Sequence, residues 1–289
     1  MSNKRSKRHH FVPIVLQKQF ASQNGKIWYC ERINSKGFSR PEERNHISAF
    51  KERNYNTTIE NGVPSDRLER EFWGVVDNHL GDLLPQIEKI LKLGNSPNFR
   101  GDSFESLINL FAATMTRSPD IIPDANPMKI GEEIYDGVMA AAPDIPKEIS
   151  ETISNPTRMM QNGRHVFAYA RTVEPKKVLS ALRNYSARLV MAEKGSAFIL
   201  GSRLVYRIGN GNDTHLDRET TELWFPVSPS TSIVLVNLPK VGESIVVWPK
   251  RKVRQFNEFF CEQSSFVGSH SVKLLSSLIK TKKMSVDSC

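Results

Sequence analysis

The residues best suited to chemistry in this chain form a His-His pair near its beginning. His9 and His10 follow a run of cations and precede the Phe11-Val12-Pro13 segment. An imidazole changes charge near neutral pH, so it can bind a metal, act as a general base or contact a phosphate. Pro13 biases Val12 toward extended geometry, which places the pair on a strand. Neighbours on a strand point to opposite faces, which argues against both rings binding one metal.

Three residues receive roles if the protein is an enzyme. We predict His10 as the base, His9 as a metal or phosphate ligand, and Arg117 as a phosphate clamp. Arg117 ends an apolar helical segment, where a planar guanidinium can hold a phosphate and where a cation is also ordinary for a helix end. The His-His-x-x-Pro string is similar to the first motif of HNH nucleases, but the residues that follow do not predict the compact ββα unit of that class. The alternative is that His10 packs or caps locally and that Lys4 to His9 form an exposed basic arm.

Basic residues are concentrated in two groups that could meet a phosphate backbone. The chain has 40 Lys and Arg against 31 Asp and Glu, and its net charge is +9. This excess keeps nucleic acid among the expected partners, with solvation of a charged surface as the alternative. The residues predicted to contact nucleic acid are Lys4, Arg5, Lys7, Arg8, Lys250, Arg251, Lys252 and Arg254. The last four open a predicted helix, where cations oppose the helix dipole.

Other polar residues of the predicted helices have a structural explanation. Asn257 lies among aromatic residues of a late helix, and a buried amide must be hydrogen-bonded, so we predict that it holds backbone groups. Asp66, Glu69 and Glu71 begin an earlier helix, where negative charge complements the dipole. A metal role for either glutamate would need it to face a histidine. The identity of any metal stays open, and a divalent ion is the expected type.

Composition excludes several classes of protein. Apolar residues make up 39% of the 289 residues, which is enough for a core. Cys30, Cys261 and Cys289 form no CxxC pair, which predicts a reducing compartment and no structural zinc. No apolar run reaches the roughly 20 residues of a membrane span, so we expect a cytoplasmic protein without a membrane partner. P-loop, GxSxG, HExxH and dinucleotide fingerprints are also missing from the sequence.

Apolar periodicity predicts an α+β fold, with helices first, an antiparallel sheet of short strands second and helices last. We predict a single domain over residues 1–289. Its parts are a flexible basic arm at 1–8, a mainly helical block at 66–184, a β-rich block at 187–249 and a helical block at 250–280.

Three local signals refine this prediction. Pro85 should kink or split the first long helix near Leu84. Asp102 should cap the next helix. Ile233 to Val236 is continuously apolar, which predicts the central strand of the sheet.

Several motifs stand in a recognisable order along the chain. They are His9 to Pro13 with Phe20-Ala21, Ile27-Trp28-Tyr29, Asn54 to Thr57, Glu69 to Phe72, Arg117-Ser118-Pro119, Phe225 to Pro229, and Asn257. Together they resemble a bacterial family known as the domain of unknown function 4238. The chain departs from the family's Phe-x-x-Ser-Asp-x-Pro pattern, because Ser202-Arg203 stand in place of its acidic motif. The resemblance implies a fold more than an activity, and it suggests by association a role in defence against phage or mobile DNA.

These features lead to two functional hypotheses. The first is a nucleic-acid-directed protein of bacterial defence or conflict systems that acts as a metal-dependent nuclease or phosphodiesterase. The alternative is a non-catalytic subunit, a sensor or partner that binds nucleic acid or another protein through its basic ends.

Overall fold

Helices and strands mix throughout the part of the chain that the computed structural model describes. The described residues are 8–33, 37–121, 126–173, 175–209, 215–238 and 244–281. The strands are β1 (Arg8–His10), β2 (Lys26–Glu31), β3 (Glu42–Asn45), β4 (Lys51–Arg53), β5 (Thr58–Glu60), β6 (Val63–Ser65), β7 (Ser186–Ala192), β8 (Leu200–Gly201), β9 (Tyr206–Ile208), β10 (Glu222–Ser228), β11 (Thr231–Val236), β12 (Ile245–Trp248) and β13 (Phe266–Ser269). The helices are α1 (Ile14–Gln19), α2 (Gly74–Lys92), α3 (Asp102–Arg117), α4 (Pro127–Ala141), α5 (Lys147–Ile153), α6 (Pro156–Ala170), α7 (Lys176–Leu182), α8 (Lys250–Gln263) and α9 (Val272–Thr281). The predicted α+β class is confirmed.

The chain divides into two compact units made of alternating segments. Unit 1 contains residues 1–10, 51–75 and 122–173, and unit 2 contains residues 11–50, 76–121 and 174–289. The single domain expected from the sequence stays a prediction, because a division into interleaved units does not decide whether they fold together. The predicted basic arm lies outside the described residues except for Arg8.

Unit 1 joins two small sheets to three helices. Strand β1 pairs with β4 and strand β5 pairs with β6, both antiparallel. Helices α4 and α6 touch through their backbones, since a Cβ on Gly163 would lie 1.8 Å from the Pro127 carbonyl oxygen and one on Gly131 would lie 2.1 Å from that of Met159. Real Cβ atoms do not approach so closely, so both positions require glycine.

Unit 2 contains a five-stranded sheet in the order β12-β7-β11-β10-β9. All residues of β11 are buried, which confirms the prediction that Ile233 to Val236 form the central strand. The expectation of a wholly antiparallel sheet is wrong at one edge, where β12 runs parallel to β7. Both strands lie on the same side of β11 and run opposite to it, so they share a direction.

A second sheet of unit 2 has the order β3-β2-β13-β8. Within the predicted β-rich block, strand β8 is short and covers only Leu200–Gly201. The N–H of Ile199 donates to the Asn257 side chain, and the N–H of Phe198 donates to the Pro229 carbonyl. The Asn257 side chain and the turn at Pro229 thus supply, before β8, the acceptors that a neighbouring strand would otherwise supply.

Two helix predictions differ from the structure. Helix α2 continues through Pro85 and is not split, because Leu84 and Ile87 on either side are both buried and their packing outweighs the hydrogen bond that proline removes. The alternative, a kink at Pro85, stays a prediction. Asp102 does not cap α3. The N-cap is Gly101, with a φ of 55°, and Asp102 lies in the first turn, where its charge complements the dipole.

Candidate functional site

His9 is held inside unit 1 by a backbone hydrogen bond. The residue is fully buried, and its Nδ1 accepts from the N–H of Asn56 at 2.8 Å. A neutral imidazole that accepts at Nδ1 carries its proton on Nε2. In this tautomer Nε2 has no lone pair for a metal. The buried ring holds the backbone of Asn56, and the role of His9 as a phosphate ligand stays a prediction.

Asn56 extends this contact to an acidic side chain. Its Nδ2 donates to Oε2 of Glu69 at 2.6 Å, while its buried Oδ1 has no hydrogen-bond partner among the described residues. Glu69 begins the π-helical turn Glu69–Trp73 that leads into α2, and such turns are frequent at functional sites. His9, Asn56 and Glu69 thus form one connected chain, which the sequence did not predict because it gave Asn56 no role.

His10 lies on the other side of β1. It is half-exposed whereas His9 is buried, as expected for neighbours on a strand. In the register of β1 and β4, His10 stands opposite Lys51. Among the described residues there is no group of three or more His, Cys, Asp or Glu side chains that could hold a metal ion.

A second imidazole holds the same segment of unit 1. Nδ1 of His165, in α6, accepts from the N–H of Ile59 at 2.8 Å. Burial lowers the pKa of His165 below its usual 6.5, and the Glu60 carboxylate opposes this in part. Protonation at Nδ1 would set two donors against each other, so the hydrogen bond requires the neutral ring.

We predict that unit 1 loses stability as the pH falls below 6.5, the ordinary pKa of histidine. The folded-state pKa of His165 is lower than this, so the unfolded chain takes up the proton first as the pH falls. Proton binding therefore stabilises the unfolded chain relative to the folded chain. His165→Asn keeps an acceptor oxygen for Ile59 and cannot titrate. The difference between the urea midpoints measured above and below pH 6.5 should be smaller in this variant than in wild type. An identical pH dependence in both proteins would contradict the prediction.

Arg117 is already bound to a carboxylate in unit 2. It ends α3 and is fully buried, and its Nη1 and Nη2 donate to Oδ1 and Oδ2 of Asp77, the second at 3.3 Å. The guanidinium donors that the sequence analysis assigned to a phosphate therefore bind Asp77 of α2. The histidines belong to unit 1 and Arg117 to unit 2. The sequence did not identify Asp77.

The Arg-Ser-Pro motif continues into a second buried contact. The carboxylate of Asp120 accepts from Ser202 Oγ and, at 3.0 Å, from the N–H of Ser265. Ser202 Oγ in turn accepts from the N–H of Phe266 at 3.0 Å. Ser202 is one of the residues that depart from the family's acidic pattern, and here it ties the end of α3 to β8 and β13. Both side chains are buried, which suits a structural tie.

Asn257 has the surroundings that the sequence predicted for a structural residue. Its Nδ2 donates to the Ala197 carbonyl at 2.8 Å, and its Oδ1 accepts from the N–H of Ile199 at 3.2 Å. The amide thus fastens α8 to the segment before β8.

The second predicted basic group forms an exposed patch at the start of α8. Lys250, Arg251, Lys252 and Arg254 are all exposed. Arg254 is paired with Glu258 at 2.9 Å. No ion pair of the other three occurs among the described residues. Lys252 Nζ lies 5.8 Å from the centroid of the Trp248 ring.

A neighbouring carboxylate reduces the helix-dipole cost of this patch. Glu193 Oε2 accepts from the N–H of Lys250 at 2.9 Å, so a negative charge lies at the helix start. The basic side chains themselves stay directed at solvent. Of the first basic group, Lys4, Arg5 and Lys7 lie outside the described residues, and Arg8 is exposed on β1.

The comparisons with known proteins give one match. The model of a family described as "Protein of unknown function (DUF4238)" matches residues 8–271. No curated protein and no solved structure matches the chain. Within the described residues, no helix is both long enough and apolar enough to cross a membrane.

Proposed function

Because the chain belongs to the DUF4238 family, which is described only as a protein of unknown function, we propose from its own surface chemistry that it binds nucleic acid. The binding surface is the start of α8, and the residues that contact phosphates are Lys250, Arg251 and Lys252. The observation that carries this proposal is that these three cations are consecutive and exposed in the first turn of α8 and have no ion pair among the described residues.

Their position explains why an anionic partner fits. Three adjacent cations at a helix start repel one another and oppose the dipole, and a row of phosphates relieves both costs. Trp248 precedes the helix and lies under Lys252, so an aromatic ring accompanies the positive charge, as is common where proteins bind nucleic acid. The net charge of +9 adds a general attraction.

Binding without cleavage is the form of the proposal that the site residues favour. Nδ1 of His9 accepts from the N–H of Asn56, and Arg117 donates to Asp77. The lone pair at Nδ1 and the guanidinium fork are thus used within the protein, and the role of His10 as a base stays a prediction. Cleavage stays a prediction that the same samples can test, and the role in defence or conflict stays a prediction as well.

We predict that the variant Lys250→Gln/Arg251→Gln/Lys252→Gln binds labelled oligonucleotides roughly 10- to 100-fold more weakly than wild type, since an exposed ionic contact contributes about 0.5–1 kcal/mol. Fluorescence anisotropy with single-stranded and duplex DNA and RNA measures the affinity. Gel analysis of the same samples, with and without Mg²⁺ or Mn²⁺, reports any cleavage.

The matched control removes the same charge from other helices and loops of unit 2. It is the variant Lys18→Gln/Lys89→Gln/Arg100→Gln, whose three side chains are exposed. We expect the control to bind nearly as well as wild type. Equal affinity of the two triple variants would contradict the proposal, because net charge alone would then explain the binding.

A further inference from the structure

The outer face of α8 carries an exposed aromatic ring beside its cations. Phe259 is 54% exposed, and it follows Arg251, Lys252 and Gln255 at spacings of eight, seven and four residues. At 3.6 residues per turn, these four side chains fall within about 100° of the helix circumference. The opposite face is formed by buried residues that pack on the sheet side, including Val253, Phe256 and Phe260.

This arrangement differs from an isolated apolar residue on a surface. Single exposed hydrophobic side chains are ordinary. Phe259, however, forms a stripe along α8 with Arg251, Lys252 and Gln255, and the two cations of this stripe have no ion pair among the described residues. The acidic residues of this helix are Glu258, which is paired with Arg254 at 2.9 Å, and Glu262, which is exposed near the end of the helix. The stripe is therefore basic at its start and aromatic in its third turn, with Glu258 at its border paired to Arg254 and Glu262 about one turn beyond the ring.

On the premise of the proposed function, we infer that the ligand is single-stranded nucleic acid, with an unpaired base stacked on Phe259 and the backbone held by Arg251 and Lys252. A phenyl ring has no donor or acceptor with which to read a base edge in a duplex groove. Its π-face, in contrast, accepts any unpaired base, and the combination of stacking rings with a basic track is typical of sequence-tolerant single-strand binding.

Charge complementarity favours this occupant over an apolar protein segment. A protein partner that covered Phe259 would also have to neutralise the cations around it, whereas a single strand supplies a phosphate with every base. Gln255 lies between Arg251 and Phe259 on the stripe, so its amide can donate to the backbone or accept from a base without a change of charge.

The test compares Phe259→Ala and Phe259→Leu with wild type on single strands and duplexes of the same sequence. Leucine keeps an apolar side chain but removes the stacking face. We expect both variants to bind single strands about 5- to 100-fold more weakly, as for the loss of one stacked base, with duplex affinity and the salt dependence of binding unchanged. The control is Ile47→Ala, because Ile47 is 50% exposed in another part of unit 2.

The outcomes separate this inference from the proposed function. If the Lys250→Gln/Arg251→Gln/Lys252→Gln variant loses affinity while Phe259→Ala binds single strands as wild type does, the basic surface stands and the stacking inference is overturned. If Phe259→Ala weakens duplex binding as much as single-strand binding, a groove contact replaces stacking and the inference is again overturned. If the basic variant matches its charge control, the proposed function itself fails.

Discussion

Replacement of Asp77 by alanine is expected to lower the free energy of unfolding by about 3 kcal/mol. Arg117 is fully buried, and the variant would leave its guanidinium without the carboxylate that it now grips. Removal of one partner of a buried pair costs about 3–5 kcal/mol. We expect the lower end because 32% of the Asp77 side chain is exposed, so water can reach the vacated position. Urea unfolding followed by circular dichroism measures the loss.

Two further variants show whether the loss of stability in Asp77→Ala comes from the buried charge of Arg117. Asp77→Leu/Arg117→Met removes both charges and should be more stable than Asp77→Ala, because no buried cation remains without the Asp77 carboxylate. Asp82→Ala changes an exposed carboxylate on the same helix and should alter stability by less than about 0.5 kcal/mol. A double variant less stable than Asp77→Ala would contradict the interpretation of this pair as a buried clamp between α2 and α3.

His9→Ala is expected to destabilise unit 1 by about 3–5 kcal/mol. The substitution leaves a cavity at a fully buried position and removes the acceptor of the Asn56 N–H. His9→Asn places an amide oxygen near the position of Nδ1, so it should recover part of the loss, whereas His9→Gln should recover less. Urea unfolding measures the stability of each variant.

A local readout distinguishes this hydrogen bond from general packing. Amide exchange in residues 54–59 should accelerate in His9→Ala and remain slower in His9→Asn. His10→Ala is the natural control, because His10 is half-exposed and its removal should change stability little. If His10→Ala and His9→Ala destabilise the protein equally, His9 does not have the structural role assigned to it here.

The sequence predicted well those features that depend on local patterns. The apolar runs predicted a β-rich block at 187–249 and its central strand at Ile233 to Val236, because a central strand is apolar throughout. Helical periodicity placed the end of α3 at Arg117 and the start of α8 near Lys250. Asn257 was assigned a structural role because a buried amide must be satisfied, and its two backbone contacts fit that assignment.

Contacts between distant segments explain most of what the sequence did not predict. Asp120 and Ser202 are 82 residues apart, and Asp77 and Arg117 are 40 apart. Nothing in local spacing links such pairs, because each residue alone suits an ordinary surface or helix end. Continuation of α2 through Pro85 depends likewise on packing, which local propensity does not contain.

The residues on which the family resemblance was based mostly hold segments together in this chain. His9 and Asn56 fasten the turn before β5, Arg117 fastens α3 to α2, and Asn257 fastens α8 to the strand region beside it. Their side chains are buried and bonded to protein atoms. A contact with an external partner is therefore better supplied by the exposed side chains of α8, which is the basis of the proposed nucleic-acid surface.

The salt dependence of binding tests that surface most directly. Each phosphate contact with a single strand contributes about 0.7 to the slope of log affinity against log salt. We predict that Lys250→Gln/Arg251→Gln/Lys252→Gln reduces the magnitude of this slope by about 2 relative to wild type. The Lys18→Gln/Lys89→Gln/Arg100→Gln control should keep the wild-type slope. Identical slopes in all three proteins would contradict phosphate binding by the start of α8.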